Sequence, residues 1–508
     1  MERDVASTTL GRLRGVREGD VQVFRGVPYA APPAGELRWR PPQPAQAWSG
    51  EREASVFGPI APQAIGAGAL ARSGGRMSED CLYLNVWTPA ADNAGRPVIV
   101  FLHGGGMSSG SGSAPLLNGA GLAGRGDLVV VTLNYRLGTL GVLNAGERLG
   151  AASGETTANL ALQDILAALA FVRREAAAFG GDPGNVTLAG QSSGAVATAC
   201  LMASPAARGL FDKAILQSGG LERVIAPEDA AEVAQLILAR LGDPSPEALR
   251  RLPLEAILEA QANAFRPRVL PPRGEFHPFY DGVILPEHPI LAALGGRSAP
   301  VPLLAGTAAH EWRTFDANAP DEAFEELLLV ERGRLLLGPR EDPATVVSIY
   351  REERREEEAT LVRRAIAAQM VGDRHFTAST ELLARGHAAA GNRVYHYEIA
   401  WQSPTPRLGA CHNICLPLVF GTLEVGAKLS GAGTEAQAMS AKVQDAWAAF
   451  ARSGDPSTPA LGRWPSYDPI GRRSLQLGAE ARIIERHRAA QLGVWPPVYP
   501  WMPTEATL

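Results

Sequence analysis

Short aliphatic and β-branched runs bounded by turn residues recur through the first half of the chain, at Pro97–Leu102, Leu128–Leu133, Val186–Ala189 and Lys213–Leu216. Continuous apolar runs of this length suit strands covered on both faces, since a strand with one wet face would alternate. Between the second and third runs, Ala158–Phe179 carries Leu162, Ile165, Leu166, Leu169 and Val172 at helical spacing. Strand, amphipathic helix and strand make a βαβ crossover. Its repetition predicts an α/β fold with a central, mostly parallel, twisted sheet flanked by helices. The cluster Gly180-Gly181-Asp182-Pro183 ends the helix and starts the turn.

From Ala226 to Ala264, and again from Ala317 to Ala390, the pattern is helical, while strand-like runs return at Asp281–Leu285, Val301–Ala305 and Val394–Ile399. The helical stretches, about 226–275 and 317–390, are therefore expected as insertions over one sheet, within a single domain spanning 1–508. The charged run Arg351–Glu358 reads as a solvated helix face.

Composition narrows the function. Hydrophobic residues make up 46% and charged residues 20%, enough apolar material for a large core. The formal charge of −5 lacks the basic excess that phosphate backbones attract, so no nucleic acid is expected as a partner. Four cysteines (Cys81, Cys200, Cys411, Cys415), none in a Cys-x-x-Cys pair, suit a reducing compartment. Met1–Val5 has no apolar signal-like stretch, and no run approaches the ~18 apolar residues of a membrane span. A soluble, cytoplasmic protein is expected, its oligomeric state unspecified.

Gly-x-Ser-x-Gly occurs twice, at Gly106–Gly110 and Gly190–Gly194, and in a chain with 55 glycines the string alone says little. Context separates the two. A nucleophile elbow needs a strand before it and a helix after it, so that a strained turn lifts the serine hydroxyl above the sheet. Gly190-Gln191-Ser192-Ser193-Gly194 has the strand Asn185–Ala189 before it and the helix-forming Ala195–Met202 after it, whereas Gly106–Gly110 runs on into Ser111, Gly112, Ser113 and Pro115 and reads as loop. Just upstream of that loop, strand Pro97–Leu102 leads into His103-Gly104-Gly105-Gly106, whose flexible turn can point backbone N–H groups at an oxyanion. A serine hydroxyl also needs a base, and the base an orienting carboxylate, in the chain order Ser, acid, His. Of nine histidines, His412 lies in a loop between Val394–Ile399 and the apolar run Leu416–Phe420, while His396 lies inside a strand and suits the core. Spacing favours His412 without naming the acid.

At this level of detail the chain resembles the type-B carboxylesterases, the α/β-hydrolase family that also holds the cholinesterases and the non-catalytic neuroligins. Phe24-Arg25-Gly26-Val27-Pro28-Tyr29-Ala30, Glu79-Asp80-Cys81-Leu82-Tyr83-Leu84-Asn85-Val86, Asn134-Tyr135-Arg136-Leu137-Gly138 and Phe179-Gly180-Gly181-Asp182-Pro183 are similar to the family's signature blocks. The resemblance implies Glu311, in Gly306-Thr307-Ala308-Ala309-His310-Glu311, as the acid and His412 as the base for Ser192. It also implies an oxyanion hole from Gly105, Gly106 and the Ser193 N–H. The implied activity is serine carboxylesterase chemistry on a small-molecule ester, with no cofactor and no metal. Amide or carbamate hydrolysis by the same triad is the nearest alternative, and a non-catalytic interaction protein would have lost Ser192.

Three departures stand out. Gln191 and Ser193 replace the Glu and Ala of the usual Gly-Glu-Ser-Ala-Gly; Ala61 stands in the Gly58–Gln63 region where secreted members place the partner of Cys81; and Cys415 occupies a position that is often acidic. A Cys411/His412/Cys415 metal site is set aside for want of a fourth ligand. In the loop Ala64–Arg76, where cholinesterases hold a quaternary ammonium on an aromatic face, this chain has two arginines and no aromatic. Neutral esters of short or medium acyl chains are therefore expected over choline esters.

Overall fold

The structure is a computed structural model that describes residues 4–64, 75–149, 156–264, 276–320, 325–337, 342–352 and 359–495. Its strands are β1 (Val5–Thr8), β2 (Gly11–Arg14), β3 (Val16–Glu18), β4 (Val21–Pro28), β5 (Glu51–Glu53), β6 (Tyr83–Thr88), β7 (Arg96–Leu102), β8 (Val129–Leu133), β9 (Gly181–Gln191), β10 (Lys213–Gln217), β11 (Leu303–Ala308), β12 (Val394–Ile399), β13 (Ser474–Leu477) and β14 (Ala481–Ile484). Three of them, β1, β2 and β5, form a small sheet; the other eleven form one large sheet in the order β14-β13-β12-β11-β10-β9-β7-β8-β6-β4-β3. From β8 through β13 every neighbouring pair is parallel. Both ends of the sheet are antiparallel.

The continuous apolar runs are explained by two cores, one on each face. Val98, Val100 and Leu102 pack in one cluster with Val129, Val131 and Leu133, while the alternate residues Ile99, Phe101 and Val130 pack in the other. Successive side chains of a strand point to opposite faces, so a strand between two cores needs apolar residues at every position. The long crossover helix runs over Leu160–Glu175 and tightens into a 3₁₀ turn at Ala176–Phe179, and β9 begins at Gly181, inside the expected turn.

Two local expectations change. Asp281–Leu285 is a turn rather than a strand: the Asp281 Oδ1 accepts N–H bonds from Val283 (2.7 Å), Ile284 (2.7 Å) and Leu285 (3.1 Å), satisfying those donors without a neighbouring strand. The apolar run at Leu416–Phe420 belongs to a short helix, Cys415–Phe420. The first helical stretch contains Pro227–Arg240, Pro246–Arg251 and Leu254–Ala264. The second contains Glu326–Leu337, Pro343–Glu352 and Ala359–Gly372, whose Leu329, Val346, Tyr350, Ile366 and Met370 build a small core of their own. Its last part behaves differently. After a π-helical turn, Asp373–Thr377, the helix Ala378–Ala389 lays Leu382, Leu383 and Ala384 into the core that holds Leu303 and Val394, so it is the crossover between β11 and β12. The end of the first stretch (265–275), most of the charged run (353–358) and nearly all of the loop that carries the choline-ester expectation (65–74) lie outside the described residues. No helix among the described residues is long and apolar enough to cross a membrane.

Candidate active site

The sequence-predicted groups follow the C-terminal ends of β7, β9, β11 and β12, on the one edge where loops of a parallel sheet gather. Ser192 follows β9 directly and starts the helix Ser193–Ala203. Its backbone, at φ 57° and ψ −126°, lies outside the regions open to ordinary side chains. Its N–H donates to the Gln217 carbonyl at 2.9 Å, which ties the turn to β10. The flanking glycines are steric requirements: a Cβ on Gly190 would sit 2.2 Å from the Gly194 carbonyl oxygen, and one on Gly194 would sit 2.1 Å from that of Leu102.

The turn after β7 lies against this elbow, because a Cβ on Gly104 would come within 2.9 Å of the Ser192 Cβ. Gly105 sits at φ 123° and Gly106 at φ 64°. The Gly105 carbonyl accepts from the Ser109 N–H (3.0 Å) and hydroxyl (3.0 Å), and the Gly104 carbonyl lies 2.8 Å from the His103 Nδ1. Across a trans peptide the N–H points opposite to the carbonyl, so the N–H groups of Gly105 and Gly106 are turned away from those partners. Ser193 N–H is one of the first helical donors that no intrahelical carbonyl can reach. His103 stacks on Tyr135 with ring centroids 4.4 Å apart, and Tyr135 donates its O–H to the His103 carbonyl at 2.6 Å. Burial pushes the His103 imidazole down to about 4, so it stays neutral.

Glu311 and His412 meet in the interior, 2% and 3% exposed. The Glu311 Oε2 lies 2.5 Å from His412 Nδ1, and its Oε1 accepts the Ala308 N–H at 2.7 Å. This pairing makes Nδ1 the protonated nitrogen and Nε2 the lone-pair nitrogen; Nε2 is buried without a protein partner. The His412 main chain is held from both sides. Its N–H donates to the Thr314 Oγ1 at 3.2 Å, and its carbonyl accepts from the Gln191 Nε2 at 3.2 Å. Gln191 also donates to the Asn413 Oδ1 at 3.2 Å. The residue preceding Ser192 thus bonds directly to the residue carrying the imidazole, a task for an amide donor that a carboxylate could not perform.

Several contributors were invisible in the sequence. The Phe376 ring lies 4.5 Å from the His412 ring between centroids, and the Phe315 ring 5.5 Å, with Trp312 beside Phe315 at 4.6 Å. Phe315 follows Glu311 by one helical turn, a spacing that could have marked it; Phe376 arrives from the π turn of the second helical stretch, for which spacing gives no signal. That turn is tied back to the acid loop by Arg488, which pairs with Asp373 Oδ1 at 2.5 Å and donates to the Ala309 carbonyl at 2.7 Å. His396 sits inside β12, 2.8 Å from the Ser474 Oγ, and burial pushes it down to about 3, in keeping with a core role. All four cysteines are unpaired and buried, and burial pushes the Cys415 thiol up to about 12. Among the described residues no group of three or more His, Cys, Asp and Glu side chains is arranged to hold a metal ion.

A mostly parallel sheet flanked by helices, with a strained serine elbow after one strand and an acid–imidazole pair after two later ones, defines an α/β-hydrolase. The chain belongs to the Carboxylesterase family, which it matches over residues 2–495. It is 35% identical over 497 residues to a para-nitrobenzyl esterase of Bacillus subtilis (strain 168), covering 95% of this chain and 96% of that one. It is 33% identical to a phenmedipham hydrolase of Pseudarthrobacter oxydans over 96% and 97% of the two chains. Among solved structures, a carboxylesterase of Geobacillus stearothermophilus superposes with a TM-score of 0.86 at 35% identity, over 97% of this chain and 100% of that one. The protein is a carboxylic ester hydrolase.

Proposed function

We propose that Ser192 is the nucleophile, His412 its base, Glu311 the orienting acid, and the N–H groups of Gly105, Gly106 and Ser193 the oxyanion hole. His412 Nε2 takes the Ser192 proton as Oγ bonds to the ester carbonyl carbon. The carbonyl oxygen becomes an oxyanion facing the three N–H donors, and Glu311 stabilises the imidazolium. Collapse breaks the carbon–alkoxy bond, and His412 delivers its proton to the departing alcohol. Water, deprotonated by His412, then attacks the acyl-enzyme, and the second collapse frees the carboxylic acid and restores the serine hydroxyl. The observation that carries this reading is the buried Glu311–His412 pair, with its unpartnered Nε2 beside the elbow through Gln191.

The substrate class we propose is a neutral ester of short or medium acyl chain, aromatic groups included, turned over by one domain with helical insertions in a reducing cytoplasm. The rings of Phe376 and Phe315 beside the base support an apolar reacting centre, and the unpaired thiols support the compartment. The relative named for para-nitrobenzyl esters agrees with an aryl-tolerant site. Amide or carbamate cleavage is the second reading, since the same triad serves a poorer leaving group.

One panel tests the substrate class: chromogenic esters of graded acyl length, a matched anilide, and butyrylthiocholine beside an uncharged thioester of the same acyl chain. The expected order in kcat/KM is neutral ester, then choline ester, then anilide. An anilide that outruns its ester reverses the reading in favour of an amidase, and a choline ester equal to its neutral partner removes the charge argument. Labelling by an organophosphonate is expected at Ser192, and a label elsewhere overturns the assignment of the nucleophile.

A further inference from the structure

The loop that carries Gly105 and Gly106 is closed internally by the Ser108 and Ser109 bonds to the Gly105 carbonyl, while its far end, Gly110, is held from outside. Gln63 does this from a segment far away in sequence. Its side chain is 3% exposed, its Oε1 accepts the Gly110 N–H at 2.9 Å, and its Nε2 donates to the Gly110 carbonyl at 3.0 Å and to the Ala61 carbonyl at 3.0 Å. The primary amide thus pairs with Gly110 on both sides, as a neighbouring strand would. Gly110 in turn packs on the turn itself: a Cβ there would lie 2.3 Å from the Gly104 carbonyl oxygen and 2.5 Å from the His103 Nδ1.

The segment bearing Gln63 is anchored independently. The Ile60 N–H donates to the Arg76 carbonyl at 3.0 Å, and the Pro59 carbonyl accepts from the Asn134 Nδ2 at 3.0 Å. Asn134 also accepts the Gly112 N–H at 2.8 Å through its Oδ1, so the stretch Gly110–Gly112 is fastened at both ends. An oxyanion donor acts only if it is already aimed where charge develops, because reorientation during the reaction would cost the stabilisation it provides.

We infer that Gln63 is a positioning residue for the oxyanion hole, holding Gly110 so that the Gly104–Gly106 turn presents its N–H groups in fixed geometry. This rests on the oxyanion hole proposed above. The role requires both halves of the amide: the acceptor for Gly110 N–H and the donor for the two carbonyls. Two variants separate these. Gln63→Ala removes both halves, whereas Gln63→Glu keeps the acceptor and faces the two carbonyls with a carboxylate. That carboxylate becomes a donor again when protonated, and burial against two carbonyl oxygens raises its affinity for a proton.

For Gln63→Ala we expect kcat to fall about 10- to 100-fold with KM changed by less than about threefold, since the missing interaction is felt in the transition state. For Gln63→Glu we expect kcat relative to the parent enzyme at the same pH to rise by about threefold or more between pH 8 and pH 5.5, as protonation restores one of the two donor bonds. The ratio cancels the titration of the base common to both enzymes, and a purely space-filling role would leave it level. A Gln63→Ala enzyme with kcat within about twofold of the parent overturns the inference, as does a Gln63→Glu ratio that stays level or falls on acidification. Should Gln63→Ala fail to fold, the Gln63→Glu ratio decides alone. Organophosphonate labelling of the parent enzyme keeps the two readings apart. A label absent from Ser192 ends the proposed mechanism, while a label on Ser192 with unaffected Gln63 variants ends only the role of Gln63.

Discussion

Gly106–Gly110 and Gly190–Gly194 share one sequence pattern and stand at the C-terminal ends of neighbouring strands, β7 and β9, yet they are built for opposite tasks. In the second, the serine occupies the apex of a strand–turn–helix at φ 57°, and the glycines exist because backbone passes at contact distance on both sides. In the first, Ser108 merely closes a loop, with its N–H donating to the Gly105 carbonyl at 3.2 Å and its hydroxyl aimed at the same oxygen at 3.3 Å. There the glycines serve the main chain, which is the part that can donate to an oxyanion. One pattern thus places a side chain, and the other places backbone amides.

Three substitutions put that contrast to the test. Ser192→Ala is expected to lower kcat on the order of 10⁶-fold with an unchanged fold, and Ser108→Ala to change it by less than about threefold. A large loss at Ser108 would erase the distinction. Next, Gly105→Ala forces a Cβ to 2.0 Å from the Ser109 carbonyl oxygen at φ 123°, so the turn must move and kcat should fall by about 10²- to 10³-fold. Steady-state kinetics with a thermal melt show whether the loss is catalytic or a matter of folding.

Phe376→Ala strips away the ring that lies against the His412 imidazole. Aromatic esters should lose about tenfold in kcat/KM relative to acetyl esters of the same alcohol, the value of a ring contact of about 1.4 kcal/mol. An unchanged ratio would move the aromatic wall elsewhere.

The smallest effect concerns stability at the other loop. Because the His103 pKa in the folded protein is about 4, against about 6.5 in the unfolded chain, only the unfolded chain takes up a proton between those values. The stabilisation is complete above about pH 6.5 and is lost as the pH falls toward 4, the loss from this residue reaching about 2 kcal/mol at pH 5. His103→Phe keeps a ring against Tyr135 and removes the titration, so its melting temperature should depend less steeply on pH between 7 and 5. Equal slopes would mean that the imidazole is charged in the fold.

What the sequence made legible follows from how each feature is held. Strands between two cores need apolar residues at every position, and Val98–Leu102 and Val129–Leu133 declare themselves for that reason. The elbow was readable because its constraints are local, a strand, two glycines and a helix within a short span. Asp281–Leu285 misleads because Ile284 and Leu285 are apolar while the backbone donors are met by a single side chain, which hydrophobicity does not register. Glu311 came from family resemblance, since one carboxylate after a strand looks like any other until His412 lies beside it. Phe376 and Gln63 reach the site through tertiary contacts alone. Their neighbours in sequence belong to other parts of the fold.

The order in which the chain leaves the ribosome gives the site a history. Ser192 and His412 are 220 residues apart, which at roughly 5 to 20 residues per second puts the elbow on the growing chain for roughly 10 to 45 s before its imidazole has been made. Arg488, whose guanidinium grips the Ala309 carbonyl and the turn bearing Phe376, comes later still. If Ser192 and His412 act as proposed, the growing chain carries the nucleophile without its base over those 220 residues, and the turn bearing Phe376 is pinned only once Arg488 has followed β13 and β14 onto the β12 edge of the sheet.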